Sequence, residues 1–227
     1  MATTFQRARS DEQRAIRRQT ILDTAAGMLE EMPVAELSLN ELSRRVGLAK
    51  SNVLRYFDSR EAVLLELLDS LSCEWLEHLS RELPSAVSTR AGFQRRAEQL
   101  AAVFASSLAE RPVLCDLIAS QAAVLEHNVG TEAIASFKRR GAAHATTLVG
   151  LIRQALPELS EDRAWRLVIA TLLLSSSLWA HARPPQAVLD AYEQIPELRL
   201  MRLDFAPALE DSLATVAIGL EARSRRR

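Results

Sequence analysis

Glycine and proline are scarce in this 227-residue chain, at seven and eight, and aromatic residues make up only 5% of it. So few turn-formers exclude collagen-like, low-complexity and loop-rich β architectures. The two cysteines, Cys73 and Cys115, are too few and too far apart for a disulfide framework or a Cys/His zinc site. A reducing compartment is therefore the expected setting. Net charge is also missing: 28 basic residues meet 29 acidic ones, so no chain-wide basicity points to nucleic acid and charge must be read locally. The longest apolar run, residues 167–180, is broken by three serines and flanked by Arg166, His181 and Arg183. As a helix it rises about 21 Å, short of the roughly 30 Å hydrocarbon core of a bilayer. The first residues are polar and lack the apolar segment of a signal peptide. A cytoplasmic protein without membrane contact is expected.

Catalytic and metal-binding patterns are missing as well. The four histidines, His78, His127, His144 and His181, stand far apart and none has His-Glu-x-x-His or Cys/His spacing. Glu126, His127 and Asn128 are adjacent, and adjacent helical residues do not share a face. There is no Gly-rich phosphate loop and no Gly-x-Ser-x-Gly elbow. Neither an enzyme nor a protein with a metal or cofactor is expected.

What the chain does have is helical periodicity throughout, 48% hydrophobic residues and enough length for a real core. Ser10 with Gln13 makes a capping-box start, after which Ile21, Leu22, Ala25, Ala26 and Leu29 recur on one face. Pro33 closes that helix. Ser38 with Glu41 opens a second, short helix carrying Leu39, Leu42 and Val46, and Gly47 is the natural left-handed residue past its end. A third helix spans about 50–57. Asp58 with Glu61 caps a fourth, over 60–82, whose stripe is Val63, Leu64, Leu67, Leu68, Leu71 and Trp75, with a break at Pro84. Further helical segments fall near 90–109, 112–127, 131–155, 161–182 and 207–222. Residues 183–206 are the least regular stretch, and the basic tail 223–227 is expected to fray.

The segment 38–57, SLNELSRRVGLAKSNVLRYF, has the spacing of a helix-turn-helix. A three-residue turn beginning at Gly47 lets two helices cross steeply, so that Leu42, Val46, Leu48 and Val53 pack into the crossing. The second helix then exposes Lys50, Ser51, Asn52, Arg55 and Tyr56, side chains suited to phosphates and base edges. Residues 1–60 carry ten basic and eight acidic residues, so this part is net positive while the remainder is net negative. Arg7, Arg9, Arg14, Arg17 and Arg18 crowd the first stretch, where Arg7 or Arg9 could enter a minor groove.

The stretch SLNELSRRVGLAKSNVLRYFDSREAVLLELL resembles the amino-terminal domain of the TetR (tetracycline-repressor) family of bacterial transcription regulators. The likeness covers about residues 12–70. It includes the aliphatic pair of the first helix, the Ser-capped second helix, the Gly-Leu-Ala-Lys turn, the Arg-Tyr-Phe ending and the Asp-Ser-Arg-Glu entry to helix four. It implies an all-α protein, with a DNA-binding domain at 1–60, helix 60–82 as connector, and an effector-binding, dimerising helical domain at 83–227. It further implies that Lys50, Tyr56 and Arg60 bind phosphates and that Ser38 offers its hydroxyl and the backbone N–H groups behind it to another. Ser51, Asn52 and Arg55 would then face base edges. Leu54 departs from the pattern: the family often has a tyrosine there, so one phosphate-binding hydroxyl is missing.

The resemblance also implies a homodimer on a palindromic double-stranded operator, released or retained by a small-molecule effector. The dimer interface is expected on the last two long helices, through Val168, Ile169, Leu172, Leu173 and Ser176 and through Leu209, Leu213, Val216 and Leu220. Large side chains for a mainly apolar effector pocket are Trp75, Phe93, Phe104, Phe137, His144 and Trp179, with Cys115, Gln121 and Asn128 as polar handles. Each of these could instead be ordinary core. The competing reading is a helical dimeric ligand-binding or adaptor protein with weakened or lost DNA binding. The excess of arginine over lysine, 26 to 2, suggests a GC-rich bacterial genome.

Overall fold

Good helix-formers fill the chain, and in the computed structural model ten α-helices occupy most of the described residues, 2–223, with side chains described from Glu12 onward. They are α1 (Ala2–Glu31), α2 (Leu39–Val46), α3 (Lys50–Val53), α4 (Arg60–Ala86), α5 (Phe93–Ala109), α6 (Pro112–Ser120), α7 (Thr131–Ala155), α8 (Glu161–Ala182), α9 (Gln186–Gln194) and α10 (Phe205–Ala222). A π-helical turn, Gln121–Leu125, follows α6, and a 3-10 turn, Pro196–Met201, follows α9. No strand occurs among the described residues. The expectations placed on the side chains of Arg7 and Arg9, and on the tail at 224–227, lie outside the described residues.

Several boundaries differ from the sequence expectation, each for a local reason. Helix α1 runs through Ser10 rather than starting there, since residues 2–9 hold no glycine or proline to stop it. Helix α4 continues past Pro84. Leu79, Leu83 and Val87 are all buried on one stripe, and their packing carries the helix over a residue that cannot donate its backbone bond. The expected helix 112–127 is α6 followed by the π turn, which the Gln121 side chain reinforces by donating to Glu126 Oε1 at 2.8 Å. Residues 183–206 hold α9 and the 3-10 turn.

The chain divides into two compact units, one of Met1–Ser70 with Ser120–Phe137, the other of Leu71–Ala119 with Lys138–Arg227. In the first, α1 packs on α2 and α2 on α3. Ile21, Ala25, Leu42, Val53, Val63 and Leu64 are withdrawn from solvent, each large one worth about 2 kcal/mol of burial. In the second, α10 packs against α5 and α8. Its core is built on Leu79, Leu100, Phe104, Leu108, Ile152, Leu167, Leu209 and Leu213.

Arg18 ties the first unit together. Its guanidinium meets both carboxylate oxygens of Glu66 on α4, donates to the Tyr56 carbonyl, and lies 4.2 Å from the centre of the Phe57 ring. Positions 18, 21, 22 and 25 share one face of α1, so the charge sits at the end of the buried stripe. Arg18→Ala would strand the half-buried Glu66 carboxylate and free the end of the segment after α3. We expect it to cost about 2 kcal/mol of unfolding free energy, the loss of a charge-assisted bond. A urea midpoint equal to that of wild type would contradict this.

Candidate nucleic-acid interface

The site begins with two local stops. Ser38 is extended, at φ −106° and ψ 150°, and its Oγ accepts the Glu41 N–H at 3.2 Å, capping α2. At the other end Gly47 takes φ 74° and ψ 29°, a conformation that costs any L side chain about 1–2 kcal/mol. Its N–H donates to the Arg44 carbonyl at 3.2 Å and that of Leu48 to the Ser43 carbonyl at 3.0 Å. This double closure turns the chain sharply out of α2. Helix α3 is α-helical only to Val53, and tighter turns continue it: Arg55 N–H bonds to the Asn52 carbonyl and Tyr56 N–H to that of Val53.

Two anchors set the orientation of this segment. Val53 is fully buried and Phe57 nearly so, four residues apart on one face. Lys50, Ser51, Asn52 and Arg55 are consequently exposed, and Tyr56 is half-buried. Leu54 is also exposed, at 39%, on the side where a tyrosine would have offered its hydroxyl. Four of the seven residues from 50 to 56 thus present polar heads outward on a platform fixed from behind.

Charge near this platform is partly spent on the protein itself. Arg44 and Arg45 both bond Glu41, and Arg45 also reaches Glu31 on α1. These bonds hold the Glu41 carboxyl down at about 2, so it is anionic at any ordinary pH and offsets both arginines. Arg60 donates from Nη2 to the Val34 carbonyl at 2.6 Å and lies 3.7 Å from Glu61. It clamps the loop after α1 to the start of α4, which leaves fewer donors for a phosphate than the sequence expectation assumed. Arg18, which fixes the end of the platform from beneath, was not among the expected site residues. Its place one turn before Ile21 and Leu22 was the feature that could have revealed it.

Most of the residues expected to line an effector pocket make contacts within the chain. Trp75 and Phe104 meet edge to face at 5.8 Å, and Trp75 Nε1 donates to Ser107 Oγ at 2.9 Å. Trp179 meets Phe205 in the same manner at 4.9 Å and donates to Asp116 Oδ1 at 2.6 Å. Cys115 is buried and bonds the Leu108 carbonyl. Burial first, then the neighbouring Asp116 carboxylate, push its thiol up to about 12, so it stays protonated and behaves as a small apolar side chain. Gln121 closes the π turn. Asn128 is exposed at φ 57°, the turn conformation asparagine tolerates best. Phe137 is buried and His144 half-buried. Gln121, Asn128 and Phe137 belong to the first unit and the other six to the second. Only Phe93, among these nine, lines a described cavity: an open groove of about 780 Å³ shared with Arg95, Glu98, Ile218 and Glu221.

Helix α8 has two faces. Ala164, Leu167, Val168, Thr171, Ser175 and Trp179 point inward, whereas Ile169, Leu172 and Leu173 are 53%, 47% and 64% exposed. Ser176 continues the outer stripe. On α10, Leu209 and Leu213 are sealed within the chain's own core. They and Val168 therefore offer little area to a partner, and Val216 and Leu220, both half-buried, form the more accessible part of the α10 stripe.

An exposed, polar-headed helix held against a capped partner across a left-handed glycine is a helix-turn-helix, and an all-helical second unit accompanies it. The class so defined is the helical DNA-binding regulators. Residues 21–67 match the domain described as bacterial regulatory proteins, tetR family, and residues 70–224 match the tetracyclin repressor-like C-terminal domain. The chain belongs to the TetR family of bacterial transcriptional regulators.

The HTH-type transcriptional regulator EthR of Mycobacterium tuberculosis is 45% identical over 49 residues, 22% of this chain and 23% of that protein. The chain thus aligns with about a quarter of the length of that curated relative. A TetR transcriptional regulator from a Rhodococcus species superposes with a TM-score of 0.55 at 18% identity, covering 92% of this chain and 97% of the other. FadR from Bacillus subtilis, solved with stearoyl-CoA, gives 0.54 at 14% identity over 89% and 98%. These likenesses establish a shared fold. Among the described residues no helix is long and apolar enough to cross a membrane, and no cluster of side chains could hold a metal ion.

Proposed function

We propose that the protein is a cytoplasmic, ligand-responsive repressor that binds a palindromic operator as a homodimer. One observation carries this reading: Val53 and Phe57 are buried while Lys50, Ser51, Asn52 and Arg55 beside them in the same segment face solvent. Lys50, Tyr56, Ser38 and the free donors of Arg60 would grip phosphates, fixing register without reading sequence. Ser51, Asn52 and Arg55 would address base edges in the major groove. The division into a reading head over 1–60, a connector over 60–82 and an effector and dimerisation part over 83–227 belongs to the same proposal.

The dimer is supported by the outer stripe of α8, three large aliphatic side chains at helical spacing that each leave about half or more of their surface in water. A single four-residue reading helix contacts too few bases for a unique genomic site, and two-fold pairing doubles them. The effector would be a small, largely apolar molecule held by the second unit, as the aliphatic and aromatic composition of its helices suggests. FadR of Bacillus subtilis, with its stearoyl-CoA, is a fold relative holding a ligand of partly that character. Helix α4 is continuous from Arg60 to Ala86 and passes from one unit to the other at residue 70, so it is the natural lever between them. A ligand shifts operator affinity only by its unequal affinity for the two arrangements, and about 3 kcal/mol would give roughly 150-fold.

Lys50→Ala tests the phosphate assignment. Its loss should weaken binding to specific and scrambled duplexes alike and lower the log–log salt slope by about 0.9 for each protomer. An unchanged slope, with wild type bound tightly, would remove Lys50 from the backbone contacts.

A further inference from the structure

The arginines of the first unit whose side chains are described fall into two sets. Arg18, Arg44, Arg45 and Arg60 are all bonded to carboxylates or carbonyls of the chain itself. Arg14, Arg17 and Arg55 are exposed, and among the described residues their side chains make no hydrogen bond or ion pair. These three line one open groove of about 650 Å³ between α1 and the end of the reading segment, together with Gln13, Thr20 and Tyr56. No carboxylate is among the described residues that line it. Arg14 and Arg17 lie three positions apart, on one face of α1 and one turn from each other. Ile16, also on the groove wall, is 60% exposed, a large apolar side chain left among polar ones.

Three guanidinium groups gathered with no carboxylate among the described lining residues repel one another in the free protein, and the field they create favours a polyanion. Their planar donor pairs match phosphate oxygens two at a time. The groove is continuous with the reading surface through Arg55 and Tyr56, which belong to both. We propose that Arg14 and Arg17 seat a backbone phosphate of the operator beside the bases read by α3, making the helical face of α1 part of the DNA interface. Ile16 then lies where a deoxyribose can cover it. This rests on the DNA-binding reading above and adds to it a second, sequence-blind grip that lengthens the footprint of each protomer beyond the helix-turn-helix. It differs from an arginine arm reaching into a minor groove, because both side chains project from a continuous helix.

The test uses the full-length protein and a duplex that wild type recovers from a randomised pool. The Arg14→Ala/Arg17→Ala double variant should keep the wild-type thermal midpoint, since among the described residues neither side chain makes a hydrogen bond or ion pair. Its affinity for the recovered duplex and for a scrambled one should fall alike, by tenfold or more. The log–log salt slope should drop by about 0.9 per lost contact and protomer. Phosphate-ethylation interference should lose the same one or two backbone positions in each half-site, distinct from those lost by Lys50→Ala. The Arg14→Lys/Arg17→Lys variant should retain most of the slope and only part of the affinity. Unchanged affinity and slope in the alanine variant, alongside firm wild-type binding, would overturn this inference and leave the reading head intact. A changed base preference with an unchanged slope would overturn it too, by making these arginines base readers. If wild type recovers no duplex at all, the DNA-binding reading fails and this proposal fails with it.

Discussion

Replacing Leu172 and Leu173 together by aspartate should convert the proposed dimer to monomers and reduce operator affinity by at least about 100-fold. Leu173 stands mostly, and Leu172 about half, in water on the outer face of α8, so their replacement removes only part of a side chain's burial from the protomer's own core. In a two-fold pair each appears twice, and four carboxylates would be brought together in an apolar interface. Burying one unpaired charge costs several kcal/mol, so association is lost well before folding is. A monomer then engages one half-site, and the gain from tethering two reading heads, typically 10²–10⁴ in affinity, disappears. Sedimentation of the variant should give a folded species of about 25 kDa. A stable dimer with full operator affinity would relocate the interface.

The second large effect is expected at Asn52 and Arg55. An asparagine pairing with adenine or an arginine with guanine discriminates by about 1–3 kcal/mol, and a dimer holds two copies of each. Asn52→Ala or Arg55→Ala should therefore cost about 2–6 kcal/mol against the preferred operator while leaving binding to unrelated DNA much nearer wild type. The salt slope separates this from the Lys50 result: a base contact changes preference at one position per half-site and leaves the slope nearly untouched. Arg55 also borders the α1 groove, so Arg55→Ala is expected to show some loss of slope in addition, whereas Asn52→Ala should show none. Uniform weakening across all sequences by Asn52→Ala would place that side chain on the backbone.

Ser38, Gly47 and Val53 made the reading head legible in the sequence, because each acts within a few residues of itself. A cap, a left-handed turn and a buried anchor fix the local path whatever the rest of the chain does. The orientation of long amphipathic helices is different in kind. A stripe such as Leu209, Leu213, Val216 and Leu220 shows that a face is covered, but not whether its cover is the same chain or another. Leu209 and Leu213 turned out to be core and the α8 stripe to be open. Trp75, Phe104 and Trp179 illustrate the same limit, since a large aromatic ring fills space equally well as core or as ligand wall. Here each is held by a ring partner or a bond of its indole N–H. Pro84 and the π turn at Gln121–Leu125 were hidden because tertiary packing overrode the local preference. Arg14, Arg17 and Arg18 read alike as a basic stretch, and only the fold separates the one that staples α1 to α4 from the two left facing solvent.

Selection of duplexes from a randomised pool by the purified wild-type protein at low ionic strength bears most directly on the claim that residues 50–56 form a groove-reading surface. The account predicts enrichment of a palindromic sequence, with the enriched bases shifting at defined positions when Asn52 or Arg55 is replaced. Recovery of no duplex, or of a sequence indifferent to both replacements, would contradict it.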